Sequence, residues 1–183
     1  QMCIRDRLWG DKLCKAVEGI AGFRPFESQD GEVLFAFMED TAVPVMENVE
    51  YTFGYEDVRG FFGRTVKGFM LKLEPSGGNA LYLWCTDGGN EVWICGNLSA
   101  RLYRFALWVG YGLMTLPYGT IAVHSSCIVY RDRAVLFLGE SGTGKSTHTR
   151  LWREHVEGAF LLNDDSPVLR VEDDVVRVYG SPW

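Results

Sequence analysis

Residues 134–146 read Ala-Val-Leu-Phe-Leu-Gly-Glu-Ser-Gly-Thr-Gly-Lys-Ser. The last eight, Gly139-Glu140-Ser141-Gly142-Thr143-Gly144-Lys145-Ser146, fit the pattern G-x-x-x-x-G-K-S, the signature of a loop that cradles phosphate. Glycines at 139, 142 and 144 let the backbone curl until successive N–H groups face one anion, and the positive end of a following helix adds to that field. Lys145 is then placed to reach the outer phosphates of a nucleoside triphosphate, and the Ser146 hydroxyl to ligate the accompanying Mg²⁺, with Thr147 next in line. The flanks suit the motif. Residues 134–138 form a short apolar run suited to a buried strand, and residues 145–156 contain neither Pro nor Gly, which predicts a helix. Strand, glycine loop and helix in that order predict an α/β nucleotide-binding core of mixed sheet with helices.

The neighbouring segments extend this core. Residues 121–130 read as one strand, joined by a turn at Arg131-Asp132-Arg133 to the strand before the loop, which predicts a hairpin. After the helix come a strand over 159–162, the polar triplet Asn163-Asp164-Asp165, a strand over 167–171, a turn at Glu172-Asp173-Asp174 and a strand over 175–179. Ligands of open α/β sheets sit outside the carboxyl ends of strands, so the two aspartates are expected to face the crevice that holds the phosphates. One carboxylate there suits a magnesium ion and the other suits a proton acceptor for an attacking hydroxyl. A double-Asp turn is also an ordinary polar loop; its place after the helix and strand favours the functional alternative. His124, on the strand before the hairpin turn, is either a hydrogen-bonded sheet histidine or a catalytic one that lies beside Asp164 and orients it. His148 and His155 fall on the helix as surface or packing residues.

Before this core the pattern is different. Strand-like runs at 33–38, 51–53, 66–73, 80–85 and 91–95, punctuated by Pro44, Pro75-Ser76-Gly77-Gly78 and Asp87-Gly88-Gly89, predict a mostly antiparallel β region. Its many aromatic residues, lacking interleaved basic ones, are expected to pack the sheet rather than stack on bases. From 97 the period lengthens: Leu98, Leu102, Phe105, Val109, Leu113 and Leu116 make one apolar stripe on a linking helix over 97–117, closed by Pro117-Tyr118-Gly119. Residues 8–117 are thus a β-rich region with its helix, and 118–183 the nucleotide core. Residues 1–7 resemble a translated sequencing adapter and are set aside as non-native, and the stop at Trp183 directly after a strand and turn suggests a truncated core.

Composition narrows the partners. A 183-residue chain with 47% hydrophobic residues buries a real core, and a net charge of −6 argues against nucleic acid or anionic membrane. The apolar run at 105–116 is too short to span a bilayer. Five cysteines with no C-x-x-C pair, beside three histidines, predict free thiols in a reducing, cytoplasmic setting and no zinc cluster; Cys85 and Cys95 flank a hairpin turn but are expected to stay unbridged.

Taken in order, His124-Ser125-Ser126, the octet 139–146 and Asn163-Asp164-Asp165 resemble the catalytic domain of the HPr serine kinase/phosphorylase family, within the wider group that shares the phosphoenolpyruvate-carboxykinase type of P-loop fold. The likeness covers residues 118–183 and is nearest to the bacterial HPr-kinase-like proteins. It implies that the loop binds ATP, that Ser146 and Asp165 help hold Mg²⁺, that Asp164 is the general base toward a serine-type hydroxyl on a protein or small molecule, that His124 supports Asp164, and that the two aspartates can exchange parts. Hexamers are typical of the family but rest on contacts outside this stretch, so the resemblance leaves a homo-oligomer open. Two departures stand out: the family has Ala where this chain has Asn163, and Thr147-His148-Thr149 replaces the common Glu-Thr. The alternatives are an ATP-binding sensor or scaffold without chemistry, and a carboxykinase-type enzyme on the same fold, which would need further metal ligands and a carboxylate-binding arginine.

Overall fold

The computed structural model describes residues 6–9, 18, 20, 22–26, 33–97 and 99–183. Cys3, Cys14, Leu98 and the first five of the residues set aside above lie outside that range. The fold is mixed α+β, richer in strand than in helix, and it divides into two compact units, one ending at Met114 and the other beginning at Thr115.

In the first unit, strands β1 (Asp6–Trp9), β2 (Phe35–Glu39), β3 (Asn48–Tyr55), β4 (Val58–Arg64), β5 (Phe69–Pro75), β6 (Leu81–Cys85) and β7 (Glu91–Gly96) form a seven-stranded sheet in the order β1-β2-β7-β6-β5-β4-β3. From β3 to β7 it is an antiparallel meander, as expected; β2 pairs with β7, and β1 with β2, in parallel. Asp6 and Arg7, set aside as non-native, pair with Phe35 and Ala36. Two strand expectations are corrected. Val66 lies in an exposed turn, so the strand predicted over 66–73 begins at Phe69, and β4 is an additional strand. Gly60 and Gly63 dilute its apolar pattern, yet they are what lets β3 approach: a Cβ on Gly60 would fall 2.1 Å from the Phe53 ring.

Alternation places Phe35, Phe37, Leu71, Leu73, Leu81, Leu83, Val92 and Ile94 on one buried face, under helix α1 (Ala100–Thr115). Phe105 of the helix stacks on Tyr55 at 5.3 Å and tilts against Phe53, while Tyr111 meets Phe35. The stripe that is buried runs through Leu102, Tyr103, Ala106, Leu107, Gly110 and Tyr111. It replaces the predicted stripe in part: Val109 and Leu113 are half-exposed and Leu116 is exposed. The reason is distance. A Cβ on Gly110 would come within 2.8 Å of the Phe37 ring and 3.0 Å of Leu83, so the helix sits against the sheet through its smallest residues. Gly110→Val is accordingly expected to destabilise the protein by about 1–3 kcal/mol through overpacking, readable as a lower urea midpoint with unchanged slope.

The second unit holds β8 (Thr120–Ala122), β9 (Ser125–Tyr130), β10 (Arg133–Leu138), α2 (Lys145–His155), β11 (Phe160–Asn163), β12 (Val168–Glu172) and β13 (Val175–Tyr179). These build two three-stranded antiparallel sheets, β10-β9-β11 and β13-β12-β8. The single strand expected over 121–130 is therefore two strands in different sheets, broken at Val123-His124. The predicted hairpins are present: Arg131 and Asp132 (φ 48° and 59°), and Asp173 and Asp174 (φ 50° and 60°), form two-residue turns in the left-handed region that aspartate tolerates and hairpin twist requires. Helix α2 packs on the first sheet, with Trp152 edge-on to Tyr130 and Phe137. The strand before the loop is not buried as expected. β10 is an edge strand, half-exposed along its apolar residues, and Leu138 at its end is 66% exposed.

Candidate functional site

Sheet topology decides what meets at the loop. β10 and β11 each run antiparallel to β9, from opposite sides, so they run parallel to one another and end at the same edge. Leu138, the last residue of β10, lies opposite Ser125, and Asn163, the last of β11, opposite Cys127, with a bulge between Leu161 and Asn163. The glycine loop after β10, the Asn163-Asp164-Asp165 turn after β11 and His124 just before β9 therefore share one edge.

Gly142 and Gly144 take φ of 82° and 94°, which a side-chain-bearing residue adopts only under strain, and Thr143 folds back through its hydroxyl to Glu140 O at 2.8 Å. Gly144 caps α2 without any side-chain hydrogen bond, and the first turn of the helix carries no acidic residue. Its leading amides are thus directed at the loop with the helix dipole behind them and no carboxylate of their own to compete with an anion. Ser146 and Thr147 stand exposed in that first turn, beside exposed Glu140, Ser141 and Thr143.

Lys145 bends across the loop. Its ammonium donates to Gly139 O at 2.8 Å and Glu140 O at 3.0 Å, and lies 3.1 Å from His124 Nε2. An ammonium can only donate, so Nε2 is the acceptor in this contact. Nδ1 is 3.1 Å from Asp165 Oδ1, completing a line from Lys145 through His124 to Asp165. The histidine was expected beside Asp164. It lies instead against Asp165, because the backbone of residue 165 is tied to the start of β9 by the Ser125 N–H to Asp165 O bond (3.0 Å). Asp164 takes a different partner: the buried Ser126 hydroxyl donates to its Oδ1 at 2.6 Å and approaches its carbonyl at 3.2 Å.

Three residues that the sequence did not single out for a role support this arrangement. Ser126 belongs to the His124-Ser125-Ser126 motif and Asn163 to the polar triplet, while Ser181 belongs to no motif. Asn163 Oδ1 accepts from the amides of Asp165 (3.0 Å) and Ser166 (2.9 Å), and its amide nitrogen donates to Ser181 O (3.0 Å) and Oγ (3.2 Å). No sequence pattern announces the last contact, since the partners stand eighteen positions apart with two strands of the second sheet between them.

A cavity of about 360 Å³ opens beside Lys145, lined by Leu136, Phe137, Leu138, Thr143 and His148 as well. His148 packs flat on the Phe137 ring, 5.4 Å between centroids and 6° between planes, so it is a packing residue at the rim. Thiol chemistry is disfavoured here: Cys127, next to Ser126, is buried, and burial pushes its thiol above the ordinary range. Cys85 and Cys95 are free thiols, as expected.

Whether a divalent ion suits the edge can be judged from its donors. Among the described residues no group of three or more His, Cys, Asp and Glu side chains forms a metal cage. Asp164 and Asp165 are both exposed and each engages only Oδ1 in the bonds above, leaving two hard oxygens at the sheet edge that also carries the glycine loop. That set fits magnesium, which is ordinarily held by one or two carboxylates with the remaining oxygens supplied by phosphate and water.

Among the described residues no helix is long and apolar enough to cross a membrane. Comparison with protein families, with curated proteins and with solved structures finds no match to this chain.

Proposed function

We propose that this protein is an ATP- and Mg²⁺-dependent phosphotransferase of the HPr-kinase-like type, which passes the γ-phosphoryl group to a serine-type hydroxyl on a protein or small molecule. The observation that carries this reading is the convergence of a glycine loop leading into a helix without a side-chain cap, one ammonium and two differently partnered carboxylates on a single sheet edge. A nucleotide-binding surface alone calls for the loop and Lys145; the oriented carboxylates are what a transfer reaction adds.

Each residue then has a part. The amides of the loop from Gly139 to Ser146 bind the phosphate oxygens, and Lys145 turns from the loop carbonyls to the transferring group. Asp164, held through Oδ1 by Ser126, presents Oδ2 to the acceptor hydroxyl and takes its proton as the oxygen bonds to phosphorus and the bond to the bridging oxygen of ADP breaks. Asp165 and Ser146 would hold magnesium, which when bound with ATP neutralises phosphate charge. His124 orients Asp165 and offers Lys145 a ring nitrogen as acceptor. Phosphoryl transfer asks little covalent chemistry of a protein, and positioning with charge neutralisation accounts for most of its catalysis.

Incubation of the chain with γ-labelled ATP, with and without Mg²⁺, and with HPr and free serine as acceptors, tests this. Mg²⁺-dependent transfer of label is the expected result. Tight ATP binding with no transfer to any hydroxyl would leave a binding module, and absence of ATP binding at millimolar concentration would remove the nucleotide assignment altogether.

A further inference from the structure

Asn163 is buried, 8% exposed, and its amide is fully used: two donations to Ser181 and two acceptances from the backbone of the acidic turn. Ser181 is equally buried, and its hydroxyl donates in turn to Ser166 O at 2.6 Å. The two side chains thus close a loop of hydrogen bonds around Asp164 and Asp165, from the end of β11 to the segment after β13. Stability alone does not call for this, because a buried polar network gains little over an apolar one of the same volume and becomes costly if one member is lost. What the network determines is direction. The Oδ1 bonds to two consecutive amides set the backbone of the turn, and the anchor on Ser181 sets where Asn163 itself stands, so the carboxylate of residue 164 points to Ser126 and that of 165 to His124.

Resting on the phosphotransferase reading above, we propose that Asn163, anchored by Ser181, is the positioning residue for the acidic pair, and that it acts on the divalent-ion half of the nucleotide complex rather than on the phosphate loop. The loop is built by residues 139–146 and shares no hydrogen bond with Asn163 or Ser181. Loss of the clamp should therefore leave metal-free ATP binding intact and remove the gain that a divalent ion adds. General destabilisation would weaken both.

The experiment uses the full chain with Mn²⁺ as the probe: ATP affinity by calorimetry with and without Mn²⁺, and Mn²⁺ occupancy of the ATP complex by electron paramagnetic resonance. In Asn163→Ala the Mn²⁺-dependent gain in ATP affinity is expected to fall about 10- to 100-fold, the usual effect of removing a group that orients metal ligands, with metal-free affinity within about twofold of the parent. Ser181→Ala, which keeps the carbonyl that Asn163 bonds, is expected to lose a smaller part of the gain, about threefold, as befits one neutral hydrogen bond. An unchanged Mn²⁺ response in Asn163→Ala overturns the inference while the phosphotransferase reading stands. Should that variant fail to fold by circular dichroism, Ser181→Ala decides in the same way, an unchanged response overturning it. A parent chain that binds ATP with no gain from Mn²⁺ overturns both.

Discussion

Replacing Lys145 with methionine is expected to lower phosphoryl transfer about 10²- to 10³-fold, the scale on which removal of one preorganised charge-stabilising donor is felt. The methionine keeps the length of the side chain and removes the ammonium, which in the parent donates to Gly139 O and Glu140 O and lies beside His124 Nε2. Because those contacts lie on a half-exposed side chain at the protein surface, the melting temperature should move little. Initial rates of label transfer from γ-labelled ATP, compared at matched circular-dichroism spectra, check this. Activity surviving within tenfold of the parent would show that no phosphate charge is met by this residue and would refute the assignment of the loop as the catalytic one.

Asp164→Asn is expected to lower kcat about 10²- to 10⁴-fold, the usual contribution of a positioned general base, while the affinity for ATP changes only a few-fold. The substitution is nearly isosteric and Oδ1 can still accept from Ser126, so the turn keeps its shape and only the basic oxygen is lost. Asp165→Asn is the informative companion, since its carboxylate faces His124: there the Mg²⁺ concentration needed for half-maximal rate should rise before kcat falls. Single-turnover measurements across a Mg²⁺ series separate the two. If Asp165→Asn abolishes turnover at saturating Mg²⁺ and Asp164→Asn does not, the two carboxylates exchange their roles.

Much of the edge was legible in residues 134–146 because what it needs is local. Glycines at 142 and 144 adopt backbone angles that other residues reach only under strain, a Pro-free stretch follows, and a five-residue apolar run precedes; each property belongs to the segment itself. The same holds for the hairpin turns at Arg131-Asp132 and Asp173-Asp174. Features that arise between segments leave a weaker trace in the local sequence. β4 hides its strand character behind Gly60 and Gly63, whose purpose is visible only with Phe53 and Asn48 against them. The helix stripe went astray at Ala106 and Gly110, small residues that count as weakly hydrophobic in a periodic pattern and as the closest-packed positions once the sheet is present. The resemblance pairs His124 with Asp164, whereas the backbone bond from Ser125 N–H to Asp165 O brings it to Asp165.

By itself, then, the amino-acid sequence determined a strand, a glycine loop and a helix in immediate succession, and the tight turns around them, since backbone sterics and short-range hydrogen bonding are settled within a few residues. Only the tertiary structure decided that β10 and β11 flank β9 and end together, that β10 is a half-exposed edge, that His124 bridges Lys145 and Asp165, and that Asn163 reaches Ser181. Strand order and register are chosen by contacts between residues far apart in the chain, and no local propensity records which of the possible neighbours a strand end will meet.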